Sequence, residues 1–129
     1  MSNNKPILKN LHLSLSALTI IIVGFIYGFN PTKIIPIFFD FKVTSIDLNN
    51  IFRATMTLYF GIAIYWLIGV IKPTHWKNAT LINILFMGSL AFGRLLSFAL
   101  DGISIPFTKG LILELFFMFW GIYNLKKYK

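Results

Sequence analysis

The 129-residue sequence has no cysteine and only four acidic residues. The first absence excludes disulfides and thiolate chemistry. Charge of either sign is sparse: 12% of residues are charged, against about a quarter in an ordinary soluble domain. No histidines stand at metal-ligand spacing, and there is no nucleophile elbow, phosphate loop or pair of catalytic carboxylates. The sequence therefore predicts no metal, no cofactor and no catalytic residue. The formal charge of +8 carries no arginine-rich stripe, so a nucleic-acid partner is not expected either. Its lysines gather at the ends of apolar segments, where they meet lipid headgroups or snorkel to water.

What the chain has in abundance is apolar sequence in long runs, with 57% hydrophobic residues. A bilayer-crossing helix needs about 20 such residues. Four runs meet that length: 11–29, 51–71, 79–100, and one that begins between Pro106 and Gly110 and ends near Leu125. The first is too long for a signal-peptide core and lacks a small-residue cleavage box, so it reads as a span. The expected fold is all-α: a single membrane-embedded domain over residues 1–129, built as an antiparallel four-helix bundle. The connection over residues 30–50 is interrupted by Pro31 and Pro36 yet rich in Ile and Phe. It reads as an interfacial cap over the bundle mouth between helices one and two, because irregular backbone is costly in hydrocarbon. Asp47 or Asn50 is the expected cap of the second span. Residues 72–78 read as a turn, with Trp76 at the interface and His75 in contact with headgroups.

Spacing predicts which faces are covered. Ser16, Ile20, Gly24 and Gly28 recur every fourth residue in the first span and form a small-residue face for another helix. Arg53, Thr57, Gly61, Tyr65 and Gly69 recur likewise in the second, and that side is expected to face protein. Ser89, Gly93 and Ser97 form such a series in the third span, and Gly110, Glu114, Met118 and Gly121 line one side of the fourth.

Four spans put both termini on one side. Lys5, Lys9, Lys72, Lys77, Lys126, Lys127 and Lys129 then share that side, and lysine bias makes it the cytoplasmic one. Asp40, Asp47, Asp101 and Glu114 fall toward the other side. Arg94 lies about 6 Å from the middle of its span at 1.5 Å per residue, and Glu114 has a comparable depth. Charges at such depths are expensive when isolated, so Arg53, Arg94, Asp101 and Glu114 are expected to meet in one layer, supported by Thr57, Tyr59, Tyr65 and Ser97. The pairs are Arg94 with Glu114 and Arg53 with Asp101, or the swapped set.

That layer has several readings. It locks the helices together, or it forms an outward-opening pocket whose guanidiniums hold the anionic or carbonyl-bearing head of a lipophilic molecule. Glu114 as a general base is disfavoured, since a neighbouring arginine lowers its proton affinity. A transporter acting as an oligomer is a further alternative, although Thr57, Asn83 and Ser89 are the only obvious deeper polar groups. Partners in these readings are membrane lipids, a lipophilic small molecule, and a second copy or another membrane protein.

The stretch Arg53-Ala54-Thr55-Met56-Thr57-Leu58-Tyr59-Phe60-Gly61 resembles the second span of a small bacterial membrane family, domain of unknown function 4345. Gly93-Arg94-Leu95-Leu96-Ser97 followed by Asp101-Gly102 and Pro106 is similar to its third span and turn. Glu114-Leu115 resembles the acidic start of its last span. The similarity covers residues 11–123 and implies a four-span protein of the bacterial inner membrane with no established activity and no catalytic residues. Thr57 stands where that family commonly has glycine, which implies looser helix contact there.

Overall fold

The structure, a computed structural model, describes residues 5–128, so Lys129 lies outside the described residues. The first apolar run forms α1 (Lys5–Gly28), and the connection after it carries a short α2 (Pro31–Phe38). The other runs form α3 (Ile46–Ile71), α4 (Pro73–Asp101) and α5 (Ile105–Lys127). The four long helices have 23 to 29 residues, about 35–44 Å at 1.5 Å per residue, and each is apolar enough to cross a bilayer. The chain is a membrane protein with an all-helical fold.

The long helices begin before their apolar runs, whereas α1 and α3 end at or just inside theirs. Ser45 caps α3, its hydroxyl accepting from the Leu48 amide at 3.0 Å, so Asp47 and Asn50 lie within the helix and not at its cap. Replacing Ser45 with alanine is expected to cost about 1 kcal/mol in denaturant unfolding, and Asn50 with alanine almost nothing. The expected cap over the bundle mouth is partly helical: Pro31 occupies the first turn of α2, where an amide hydrogen is not needed, and Asn30 caps it. The expected turn over residues 72–78 shrinks to Lys72 alone, since Pro73 starts α4 at once. Between α4 and α5, Gly102 adopts φ +106°, a left-handed conformation that glycine reaches without Cβ strain.

The long helices alternate in direction. α1 packs along α3, with Gly24 against Phe60 and Gly28 against Met56 and Phe52 at one end, and Leu13 against Gly69 at the other. α3 packs on α4 through Gly69 and Ala79 and through Trp66 and Phe86, and α4 on α5 through Gly88 and Met118. The stripe Ser16, Ile20, Gly24 and Gly28 is buried as its spacing predicts. On α5, Gly110 faces Arg94, Met118 faces Gly88 and Gly121 faces Ile84.

Two other faces turn out differently. On α3, Arg53, Thr57 and Gly61 are exposed, and the buried side carries Tyr59, Ala63, Trp66 and Gly69. Four-residue steps drift about 40° each, so Arg53 and Gly69 end about 160° apart and cannot share a covered face. On α4, Ser89, Gly93 and Ser97 are exposed, and the interior side carries Thr80, Asn83, Met87 and Ala91. Leucine, isoleucine and phenylalanine at Leu58, Ile64, Leu85, Phe92, Ile112 and Phe119 point outward, as a lipid-facing surface requires.

Candidate functional site

The site grows from one stripe of α5. Phe107, Gly110 and Glu114 stand three and four residues apart and so share a face, which looks at Arg94 of α4. A Cβ at Gly110 would lie 3.3 Å from the Arg94 Nε, so the bare backbone there lets the guanidinium rest close to α5. The Phe107 ring lies 4.8 Å from the guanidinium carbon, a cation–π distance. Arg94 Nη2 stands 2.8 Å from Glu114 Oε1, and Nε donates to Oε1 and Oε2 at 2.9 and 3.1 Å. The side chains are only 17% and 8% exposed, so the two charges neutralise each other away from bulk solvent. The phenols of Tyr27 on α1 and Tyr59 on α3 lie within the field of both charges, Tyr27 beside the guanidinium.

This pair stands in the wall of a cavity of about 430 Å³. α1 and α5 are drawn together near the chain termini: His12 Nε2 lies 2.9 Å from the Phe117 carbonyl oxygen, and the Asn124 amide donates to the Lys9 carbonyl at 3.4 Å. Beyond Phe117 they part, and the gap is lined by Ile20, Val23, Leu90 and Leu113, with Asp40 and Lys109 also in its wall. Phe39, just past α2, stacks on Phe107 at 4.7 Å and closes one side of it. Arg94 and Lys109 are matched by Asp40 and Glu114, so the charged lining balances to zero. An apolar cleft with a few convergent polar groups is the usual form of a small-molecule site.

Of the residues that the sequence nominates, the structure brings Arg94, Glu114 and Tyr59 to this cleft. Arg53 is exposed on α3, and among the described residues it forms no ion pair with Asp101. Asp101 is exposed at the end of α4, where it accepts from the Ser97 hydroxyl at 3.4 Å. The Thr57 hydroxyl turns back on the Arg53 and Ala54 carbonyls. Tyr65 lies near the other end of α3, its ring edge-on to His75 at 6.3 Å.

Sequence reasoning missed Tyr27 and His12, and with His12 the buried polar layer that it forms beside Ser16 and Asn83. His12 and Ser16 are wholly buried on α1, as is Asn83 on α4. His12 Nδ1, the Ser16 hydroxyl, both ends of the Asn83 amide and Trp66 Nε1 have no protein partner. Buried groups of this kind call for ordered water or a ligand atom. The signal was available: His12 lies four residues before Ser16 and extends the covered stripe of α1.

Fold and site together define a four-span membrane protein with an ion-paired, charge-balanced cleft between its first and last helices. The chain belongs to the family described as Domain of unknown function (DUF4345), whose model matches residues 8–125. No curated protein and no solved structure matches it.

Proposed function

We propose that this is a membrane binding protein for a lipophilic molecule whose head carries a carbonyl or similar neutral acceptor and whose apolar body lies between α1 and α5. The observation that carries this reading is the cavity of about 430 Å³ with Arg94, Glu114, Tyr27 and Tyr59 in its wall and apolar side chains around most of the rest. Charge balance favours a neutral head over an anionic one, because an anion would have to compete with Glu114 for the guanidinium. The guanidinium has five N–H donors, and the two phenols add more, so a carbonyl oxygen finds partners without breaking the pair. We place the protein in a bacterial inner membrane with both termini cytoplasmic. Support comes from the lysines of α1, of the α3–α4 junction and of the end of α5, which share one end of the bundle.

The test is extraction in mild detergent, with mass spectrometry of whatever amphiphile stays bound. Leu90→Trp puts a large ring into the cleft while keeping both Arg94 and Glu114, and is expected to lose at least nine-tenths of the retained molecule. A wild-type protein that carries only bulk membrane lipid, or a Leu90→Trp protein that retains the molecule unchanged, would remove the reading.

A further inference from the structure

At the end of the bundle opposite the cleft lies a second cavity, of about 450 Å³, between the start of α1, the α3–α4 junction and the end of α5. Lys5, Lys9 and Lys127 line it with Asn10, Trp76 and Tyr128, and no acidic residue is among its described lining. Its walls are tied together. The Trp76 indole donates to the Lys9 carbonyl at 3.4 Å, the Asn10 amide donates to the Val70 carbonyl at 3.4 Å, and the Tyr128 ring meets Trp76 edge-on at 6.5 Å. Lys9 Nζ lies 4.4 Å from the centre of the Trp76 ring.

The contrast with the cleft is one of charge. There two cations face two anions; here the three charged lining residues are all lysines, Lys127 Nζ lying 5.4 Å from the Tyr128 ring, while Asp40, Asp47 and Asp101 stand at helix ends or in a connection on the other side of the bundle and Glu114 stands in the cleft. Like charges gathered with no acidic side chain among the described lining repel, and an anionic ligand would relieve that repulsion. Trp76 and Tyr128 are of the aromatic types enriched at headgroup level, and Leu8, Leu11 and Ile71 are exposed at the same end of the bundle, where acyl chains can lie against them. A free anion would leave those apolar side chains without a partner. Basic pockets between membrane helices are suited to the phosphate of a lipid head.

We propose that this pocket binds the phosphate of an anionic phospholipid, with Lys5, Lys9 and Lys127 around the headgroup and the aromatic rings beside its glycerol. The site is independent of the cleft.

The test uses the full chain in a zwitterionic detergent, titrated in parallel with short-chain phosphatidylglycerol, short-chain phosphatidylcholine and inorganic phosphate, with thermal stability as the readout. Phosphatidylglycerol is expected to give a saturable rise in Tm that shrinks with added salt. Phosphatidylcholine and inorganic phosphate at equal concentration are expected to give less than a tenth of it. The triple variant Lys5→Gln, Lys9→Gln, Lys127→Gln removes the three charges while leaving polar side chains in place, and is expected to need at least tenfold more phosphatidylglycerol for the same rise. Leu90→Trp, at a residue outside the lysine pocket, is expected to respond like the wild type. An equal response of the triple variant and the wild type overturns the proposal, and so does an equal effect of inorganic phosphate alone. Native mass spectrometry of the triple variant supplies a second readout that does not rest on stability: undiminished retention of one phosphatidylglycerol also overturns it.

Discussion

Replacing Glu114 with leucine is expected to destabilise the protein by about 3–5 kcal/mol, because Arg94 keeps its charge and loses the carboxylate that compensates it in a partly buried site. Gly110 leaves the guanidinium against the α5 backbone, and Phe107 and Tyr27 border it, so its shortest escape to water is along the cleft. The double variant Arg94→Leu, Glu114→Leu removes both charges and is expected to unfold within about 1 kcal/mol of the wild type, or above it, since apolar replacement of a buried pair is often neutral or stabilising. Denaturant unfolding in detergent micelles measures both. A single variant that loses less than about 1 kcal/mol would mean that the guanidinium is solvated and that the pair is not desolvated in the way its exposure suggests. The double variant also separates two roles of the same side chains. If the pair only locks α4 to α5, the restored protein retains its amphiphile; if the pair orients a ligand, stability returns and retention does not.

Gly28→Leu is expected to cost about 3 kcal/mol, in contrast to Gly61→Leu, which is expected to be silent or slightly stabilising. A Cβ at Gly28 would overlap the Met56 side chain and lie 2.8 Å from the Phe52 carbonyl oxygen. Backbone cannot rotate out of the way as a side chain can, so α1 and α3 would have to separate. Nothing lies within 4 Å of a Cβ at Gly61, where the helix faces outward. Leucine also favours the helix over glycine by about 0.5–1 kcal/mol. Thermal unfolding of the two variants side by side checks the packing of α1 on α3. Equal losses at both positions would show that Gly61 is covered after all, as its four-residue spacing alone suggests.

The outcome of the spacing arguments depended on how far each stripe ran. On α1, Ser16, Ile20, Gly24 and Gly28 lie within 12 residues of one another and all remain buried, Gly24 and Gly28 against α3 and Ile20 beside the cleft. On α3, the same step carried over 16 residues swings from Arg53 on the outside to Gly69 on the inside. No count of intervals shows which end of such a stripe is covered. The meeting of Arg94 and Glu114 is legible to within one alternative, since the short link of residues 102–104 sets α4 and α5 at a common level. What removes Arg53 from that layer is the rotation of α3.

Sequence by itself determined the number of long helices, their lengths relative to a bilayer, and the gathering of lysines at one end with acids toward the other. These are properties of runs and counts, and the cost of exposing backbone to hydrocarbon leaves a chain of this composition few other solutions. Tertiary structure alone decided which face of each helix is covered. It closed α1 on α5 at His12 and opened the cleft beyond Phe117. It also brought Tyr27 to Arg94. In a segment that is apolar all round, rotation about the helix axis leaves almost no hydrophobic signature, and it is settled only by how side chains from separate helices fit together.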